Sequence, residues 1–319
     1  MSAERVLVTG GAGFIGSHVA DALAAAGYSV TVLDDLSTGD SANVRADSEF
    51  VEGDIRSTDA ADLVRTGAFH VVCHLAAQID VRKSVADPVA DADRNVLGTL
   101  NLLEGARRAS RPPRFVFSST GGAVYGDFED PPSEESQAKN PESPYGIAKL
   151  AAEYYMSYYG RVHGLEIAAL RYANVYGPRQ DPHGEAGVVA IFCERLLAGE
   201  PLTVFGDGLQ TRDYVYVGDV ARANVCAARA KLPAAGRLDE RAFNVGTGVP
   251  TSVLELAAAL QKSAGQQGTV VHAPARAGEQ QRSFVRIRKA ADQLAWVPQV
   301  DLDAGLRATF DWFRARRAS

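Results

Sequence analysis

The chain has 319 residues, 46% hydrophobic and 23% charged, with a formal net charge of −6. That length and apolar content support a sizeable core in about two domains, and an acidic balance without blocks of like charge argues against nucleic acid as a partner. No apolar run reaches the roughly 18 residues of a membrane span, and because the first strand-like run begins by Arg5 no leader is expected. The three widely spaced cysteines, Cys73, Cys193 and Cys226, suit buried small hydrophobes in a reducing compartment; no metal site, no membrane contact and a cytoplasmic location are expected.

In chain order, strand-like runs are expected at 5–9, 29–33, 49–52, 71–75, 114–118 and 166–170. Helical patterns lie between them at 14–26, 59–65, 88–109 and 145–162. Such alternation predicts an α/β fold, a doubly wound Rossmann-type parallel sheet with helices on both faces. Residues 127–144, rich in Pro, Glu and Ser, are expected to form a surface loop that can approach a site. After residue 171 the pattern loosens. A helix is expected at 187–199, strands at 215–217 and 242–245 with a helix at 218–231 between them, then a mainly helical final third ending at 303–316. The implied division is a first domain over 1–175, a segment at about 213–246 returning to its sheet, and a smaller second domain over 176–319.

The first strand, Val6-Leu7-Val8-Thr9, runs directly into Gly10-Gly11-Ala12-Gly13-Phe14-Ile15-Gly16. Gly10 allows a tight turn, Gly13 lets backbone approach a pyrophosphate, and Gly16 lets helix and strand pack closely. The helix that opens at Phe14 and Ile15 offers free N–H groups and a positive dipole end to phosphates. Asp34 ends the second strand roughly 20 residues past the glycines, where a carboxylate accepts both ribose hydroxyls of NAD. It repels the extra phosphate of NADP, and no arginine stands nearby to receive one, so NAD is the expected cofactor.

Tyr145 and Lys149 are four residues apart, on one face of a helix. A phenol titrates near 10, but a nearby ammonium and a cationic nicotinamide ring both favour the phenolate. Ser118, Ser119 and Thr120 end a strand, where open α/β sheets place their ligands. Alone, a Tyr-x-x-x-Lys also fits a solvated helix pair; together with the glycine turn and the strand-end hydroxyls it points to catalysis.

With these residues in order, the chain resembles the extended short-chain dehydrogenase/reductases, specifically the nucleotide-sugar epimerases. The likeness also rests on Asp54-Ile55, His74-Leu75-Ala76-Ala77, Asn95-Val96-Leu97-Gly98-Thr99, the run from Arg171 to Pro178, and Leu294-Ala295-Trp296-Val297-Pro298. The resemblance implies that Asp54 and Ile55 hold adenine, with Ser37 and Thr38 in the loop after Asp34 also on the cofactor. It places Leu75, Ala76, Ala77, Gln78 and Ser118 along the cofactor, with Asn95 as a structural helix asparagine and Tyr172 beside the nicotinamide. Lys149 also holds the nicotinamide ribose. On the substrate side it implies Asn174 and Val188 near the diphosphate, Thr203, Val204 and Phe205 around uracil, Arg212 and Arg276 as diphosphate clamps, and Glu279 on the nucleotide ribose.

The implied reaction inverts C4 of a UDP-hexose, interconverting UDP-glucose and UDP-galactose through a 4-keto sugar. Tyr145 takes the 4-hydroxyl proton, Thr120 bonds the same hydroxyl, and hydride leaves C4 for NAD and returns to the other face. Sister dehydratases carry carboxylates directly after the strand-end Thr; Gly121-Gly122-Ala123 here argues against that reaction. Ser283, four residues past Glu279, stands where the family restricts the pocket with a bulky Tyr, so a small residue implies that UDP-GlcNAc and UDP-GalNAc are also accepted. Other readings stay open: a UDP-uronate epimerase or reductase, with Arg82 or Lys83 meeting the sugar carboxylate, and a catalytically idle NAD-binding sensor or scaffold. The resemblance further implies a homodimer through a four-helix bundle built from 88–109 and 145–162, with Leu102, Tyr154, Tyr155 and Tyr158 on its face.

Overall fold

The computed structural model describes residues 3–127, 132–183, 187–276 and 280–318. Its larger sheet is parallel and seven-stranded among the described residues. Strands β1 (Arg5–Thr9), β2 (Ser29–Asp34) and β3 (Glu49–Glu52) run to one side, and β4 (Val71–His74), β5 (Arg114–Thr120), β6 (Ile167–Tyr172) and a later β10 (Ala242–Val245) to the other. The inner strands are nearly continuous apolar runs because both faces are covered. The order reverses between β1 and β4, which opens a crevice at the C-terminal strand ends.

Helix α1 (Phe14–Ala25) covers one face together with a later α8 (Val217–Arg229), burying Val19, Leu23, Val220, Ala227 and Trp296. The other face carries α2 (Thr58–Thr66), α5 (Gly98–Arg108) and α6 (Pro144–His163), with Val64, Leu103, Ala106 and Met156 inside. Ser143 caps α6 by accepting the Gly146 N–H, and Pro144 takes the first helical position.

The helix expected over 88–109 is divided. After α3 (Val81–Ala86), α4 (Pro88–Ala92) leads into a π-helical turn over Asp93–Leu97 and then into α5. The wide turn brings Asn95 to Gln78, as described below, and a 3.6-residue pattern cannot reveal it. Residues 127–144 are more than a surface loop: in the described part, Ser133 and Glu135 are buried. Ser133 pairs with Val285, and the Glu135 carboxylate accepts the Asn244 N–H at 2.8 Å.

Beyond β6 the chain builds a second core from α7 (Val188–Ala198), β8 (Leu202–Phe205), α9 (Val253–Ala264) and α11 (Leu302–Ala318), packing Phe192, Leu256, Leu306 and Phe310. The last third is less helical than expected. It adds β11 (Pro250–Ser252), β12 (Val270–Ala273) and β13 (Arg282–Ser283) before α10 (Arg288–Leu294). Two to four residues are too few for a period-2 pattern to register in sequence. Strand β9 (Thr211–Tyr216) starts earlier than expected and joins β7 (Asn174–Tyr176), β11 and β13 in a small sheet, whereas α8 and β10 return to the large one. His18 on α1 donates to the Pro178 carbonyl at 3.0 Å and Arg179 pairs with Asp21 at 2.8 Å, tying α1 to the chain after β7. Among the described residues no helix is long and apolar enough to cross a membrane.

Candidate active site

The start of α1 is built for an anion. Gly10 turns with φ +69°, and the Gly13 N–H closes the turn on the Gly10 carbonyl at 3.2 Å. No side chain caps α1 and no acid stands in its first turn, so the amides around Phe14, Ile15 and Gly16 face outward with the positive dipole end. Asp34 ends β2 facing this turn. Its carboxylate accepts the Ala12 and Leu36 N–H groups, both at 2.9 Å, and is only 7% exposed; burial raises its pKa. Two such bonds leave carboxylate lone pairs for further hydroxyl donors. An uncapped glycine turn beside a buried, incompletely used carboxylate fits a dinucleotide. Ser37 and Thr38 are exposed, and Ser37 turns its hydroxyl to Asp35 at 2.6 Å. Past β3, Arg56 holds the Asp54 carboxyl below the usual range, and Ile55 packs against Gly98.

A hydrogen-bonded floor supports the segment from Leu75 to Gln78. The Leu75 N–H donates to the Thr9 carbonyl at 3.1 Å and the Ala76 N–H to the Thr9 hydroxyl at 3.3 Å, with Ala77 next in line. Thr99 donates to the Asn95 carbonyl at 2.7 Å, so its oxygen accepts His74 Nε2–H at 2.9 Å, and Thr9 donates to His74 Nδ1 at 2.7 Å. Every proton in this chain has a place when His74 is neutral, and burial, with the nearby Lys149 charge, pushes its pKa down to about 3. Asn95 accepts the Gln78 N–H at 2.8 Å and donates to the Gln78 carbonyl at 2.9 Å. Its amide also reaches Asp91 Oδ1 at 3.0 Å. Sequence reading missed Asp91, a buried carboxylate whose Oδ2 has no hydrogen-bond partner and whose pKa burial raises; only its spacing of four from Asn95 hinted at it.

The catalytic candidates meet at the end of β5. Lys149 is 3% exposed, and its Nζ donates to the Ser118 carbonyl at 2.9 Å, 6.0 Å from the Tyr145 ring centre. Burial pushes Lys149 down to about 8, opposed by the charges of Asp91 and Glu153. Ser84 accepts the Tyr145 N–H at 3.2 Å, fixing where α6 begins. Thr120, two residues beyond Ser118, pairs in register with Tyr172. Tyr172 is buried, exchanging hydrogen bonds with Asn224 on α8 at 2.8–3.1 Å. Directly after Thr120, Gly121 lies against Val285: a Cβ there would come within 3.1 Å of its side chain.

The substrate candidates lie on the smaller sheets. Asn174 starts β7, Val188 starts α7, and Thr203, Val204 and Phe205 lie on β8. Val204 is fully buried, and Thr203 accepts Arg195 at 3.0 Å, so Phe205 is the member of this trio that meets another candidate. The Arg276 guanidinium stacks 3.8 Å from its ring centre. Arg212 pairs in register with Ser283, which is buried. Beside Arg212, the fully buried Asp213 accepts Thr247 and Gly248 amides at 2.7 and 2.9 Å, pinning the loop that follows β10. Glu279 lies outside the described residues. Arg82 turns to Asp80 at 3.6 Å, and Lys83 sits beside it on α3.

The fold and these features define a Rossmann-type dinucleotide-binding protein with Lys149 and Tyr145 of α6 packed at the end of β5. A model of the NAD dependent epimerase/dehydratase family matches residues 6–246, and the chain belongs to that family. It is 46% identical over 315 residues to the UDP-glucose 4-epimerase of Mycolicibacterium smegmatis, covering 97% of this chain and 98% of that one. The UDP-glucose 4-epimerase of Thermotoga maritima, solved with UDP-glucose, superposes with a TM-score of 0.92 at 45% identity, covering 98% and 99%. The UDP-glucose 4-epimerase of Thermus thermophilus, solved in complex with NAD, gives 0.89 at 45% identity, covering 97% and 99%.

Proposed function

We propose that this chain is an NAD-dependent UDP-hexose 4-epimerase that interconverts UDP-glucose and UDP-galactose and also takes UDP-GlcNAc and UDP-GalNAc. The observation that carries the reading is Lys149, buried beneath Tyr145 and bonded to the Ser118 carbonyl two residues before Thr120. A cation there favours the Tyr145 phenolate, making it a base for the sugar 4-hydroxyl, which Thr120 also meets. When bound, NAD supplies the two-electron acceptor and donor that lets C4 be oxidised and re-reduced. With glycines after Thr120, this chain places no carboxylate there to eliminate water at C6.

In this reading Gly10, Gly13, Phe14, Ile15 and Gly16 take the pyrophosphate, Asp34, Ser37 and Thr38 the adenosine ribose side, and Asp54 and Ile55 the adenine. Leu75, Ala76, Ala77, Gln78, Ser118, Lys149 and Tyr172 take the nicotinamide half, with Asn95 as the structural residue that holds Gln78 in place. Asn174, Val188, Arg212, Arg276 and Glu279 hold the diphosphate and ribose, and Thr203, Val204 and Phe205 the uracil; the Arg276–Phe205 stack supports that grouping. Residues 1–175, with the helix and strand that return within 213–246, form the cofactor domain, and 176–319 mainly the substrate domain. The small side chain of Ser283, which pairs in register with Arg212, supports acceptance of the acetamido sugars.

Two copies pair through α4–α5 and α6, where Tyr154, Tyr155, Tyr158 and Ile147 are exposed on one helix and Val89 and Leu97 near it. Leu102 is buried within its own subunit instead. The setting is cytoplasmic galactose metabolism. The test is to incubate the purified protein, without added cofactor, with UDP-galactose and separately with UDP-GalNAc, and to separate the products by chromatography. Conversion of UDP-galactose to UDP-glucose is expected; no conversion even with added NAD would refute the reading.

A further inference from the structure

Helix α6 carries Tyr145, Lys149 and Glu153 at successive intervals of four, along one face. The first two belong to the site; Glu153 does not, yet it is 2% exposed. It accepts the hydroxyl of Ser119, the residue between Ser118 and Thr120. Thus α6 grips the end of β5 at two consecutive residues, Lys149 on the Ser118 carbonyl and Glu153 on the Ser119 side chain.

Glu153 is itself held by Arg171, which is fully buried and pairs with Ser119 across β5 and β6. Arg171 Nη2 donates to Glu153 Oε2 at 2.6 Å and Nε to Oε1 at 3.0 Å. The same guanidinium reaches Asp239 at 2.9 Å, Tyr125 at 3.0 Å and the Glu135 carbonyl at 3.1 Å. A buried ion pair gives little stability over apolar side chains of equal volume, so packing alone does not account for one directly behind the reacting groups. Lys149 faces Asp91 from α4, Glu153 and Tyr145 on its own helix, and the neutral His74 from β4. Glu153 faces Arg171, Tyr125 and Lys139.

We propose that Glu153 is a positioning residue of the reaction: through Ser119 it fixes the strand end that presents Thr120 and the Ser118 carbonyl, and through its charge it keeps Lys149 an ammonium beneath Tyr145. The proposal rests on the 4-epimerase reading for its effect on turnover, and on the structure alone for its effect on Lys149.

Two measurements test it on the full chain as purified. The chain has six lysines, so lysine labelled with carbon-13 at the ε position gives a tractable NMR titration, with Lys149 assigned by Lys149→Met. In Glu153→Gln, which keeps an acceptor for Ser119 but not the charge, the Lys149 midpoint is expected to fall by about one pH unit. The alkaline limb of kcat on UDP-galactose should move the same way with KM unchanged. Arg171→Lys, which keeps the charge, should leave the midpoint in place. Glu153→Gln with Arg171→Gln should recover part of the shift, and it serves if a lone Arg171 prevents folding. Coincident Lys149 midpoints in the wild type and both Glu153→Gln proteins would overturn the proposal, whatever happens to stability. Because the titration needs no turnover, a wild type inert on UDP-galactose would sink the reaction reading while Glu153 is still judged.

Discussion

Replacing Gly16 and Gly13 by alanine, one at a time, is expected to separate folding from cofactor retention. A Cβ on Gly16 would stand 2.0 Å from the Gly10 carbonyl oxygen and 2.7 Å from its carbon, backbone on backbone inside the strand–helix contact. No side chain can move aside to relieve that clash, so the turn itself must open. Overpacking of this kind costs about 3 kcal/mol. With an unfolding entropy of about 2.1 cal/mol/K per residue, each kcal/mol lowers the Tm of a chain this long by roughly 1.5 °C, so Gly16→Ala should lose about 4–5 °C. At Gly13 the backbone has φ −79°, which alanine adopts freely, and the nearest atom to a Cβ is the Gly10 oxygen at 3.3 Å. Alanine at this capping position costs about 1 kcal/mol and should move Tm by only about 1–2 °C. Its methyl, however, stands at the N-cap of α1, the end where the pyrophosphate is proposed to lie. Calorimetry of NAD-free proteins gives the Tm values, and NAD released by acid from the proteins as purified gives retention. Gly13→Ala with full NAD content, or Gly16→Ala with the wild-type Tm, would refute the assignment of the turn.

Tyr145→Phe removes only the hydroxyl and is expected to lower turnover of UDP-galactose by about 10²–10⁴-fold while NAD content stays at the wild-type level. Ser283→Tyr should abolish conversion of UDP-GalNAc and spare UDP-galactose, compared by product chromatography; equal losses on both would count against a role in substrate choice. Glu104 accepts Arg107, Tyr159 and Arg108 at 2.6–2.9 Å, and chiefly Arg107 holds its carboxyl down at about 2. A depressed carboxyl adds stability that is full above its unfolded pKa and is lost as pH falls through the folded one. Partial exposure cuts the contribution to about 1–2 kcal/mol. Glu104→Gln should therefore lower Tm at pH 7, and the gap from wild type should close between about pH 4.5 and 2. Tyr158→Glu on the exposed face of α6 should yield monomers in sedimentation, if that face pairs two copies.

How much of this was legible follows the range of the interactions involved. The six strands up to β6 and the glycine turn were readable because buried parallel strands are long apolar runs and a helix must start right after the turn. Tyr145 and Lys149 were readable because a helix fixes spacing into a shared face. Asn95 was found as a motif residue, but the π turn that brings it to Gln78 changes the local count of residues per turn and leaves no trace in a 3.6-residue pattern. Strands β11, β12 and β13 exist because distant partners pair with them, β12 with β8 and β13 with β9, and propensity over two to four residues carries none of that. The loop over 127–144 looked solvated from its Pro, Glu and Ser content, yet Glu135 is buried because the Asn244 N–H and the Arg171 guanidinium converge on it and its carbonyl.

Arg171 gathers these long-range effects at one point. It lies on β6 immediately before Tyr172, in a motif that sequence reading used only as a family mark. Its guanidinium joins α6 through Glu153, the turn before β10 through Asp239, the loop over 127–144 through the Glu135 carbonyl, and Tyr125 just ahead of that loop. Tyr125 passes the connection to Asn244 on β10 at 2.6 Å, and Asn244 holds the Ser133 carbonyl at 2.9 Å beside the segment that leads from Ser283 to Val285. The strand end carrying Thr120 and the strand carrying Ser283 are therefore set by one hydrogen-bonded body. A reaction that takes hydride from C4 and must return it to the opposite face of the keto sugar needs the base and the pocket wall to keep their distance while the sugar turns. A shared buried anchor meets that need with groups that never touch the substrate.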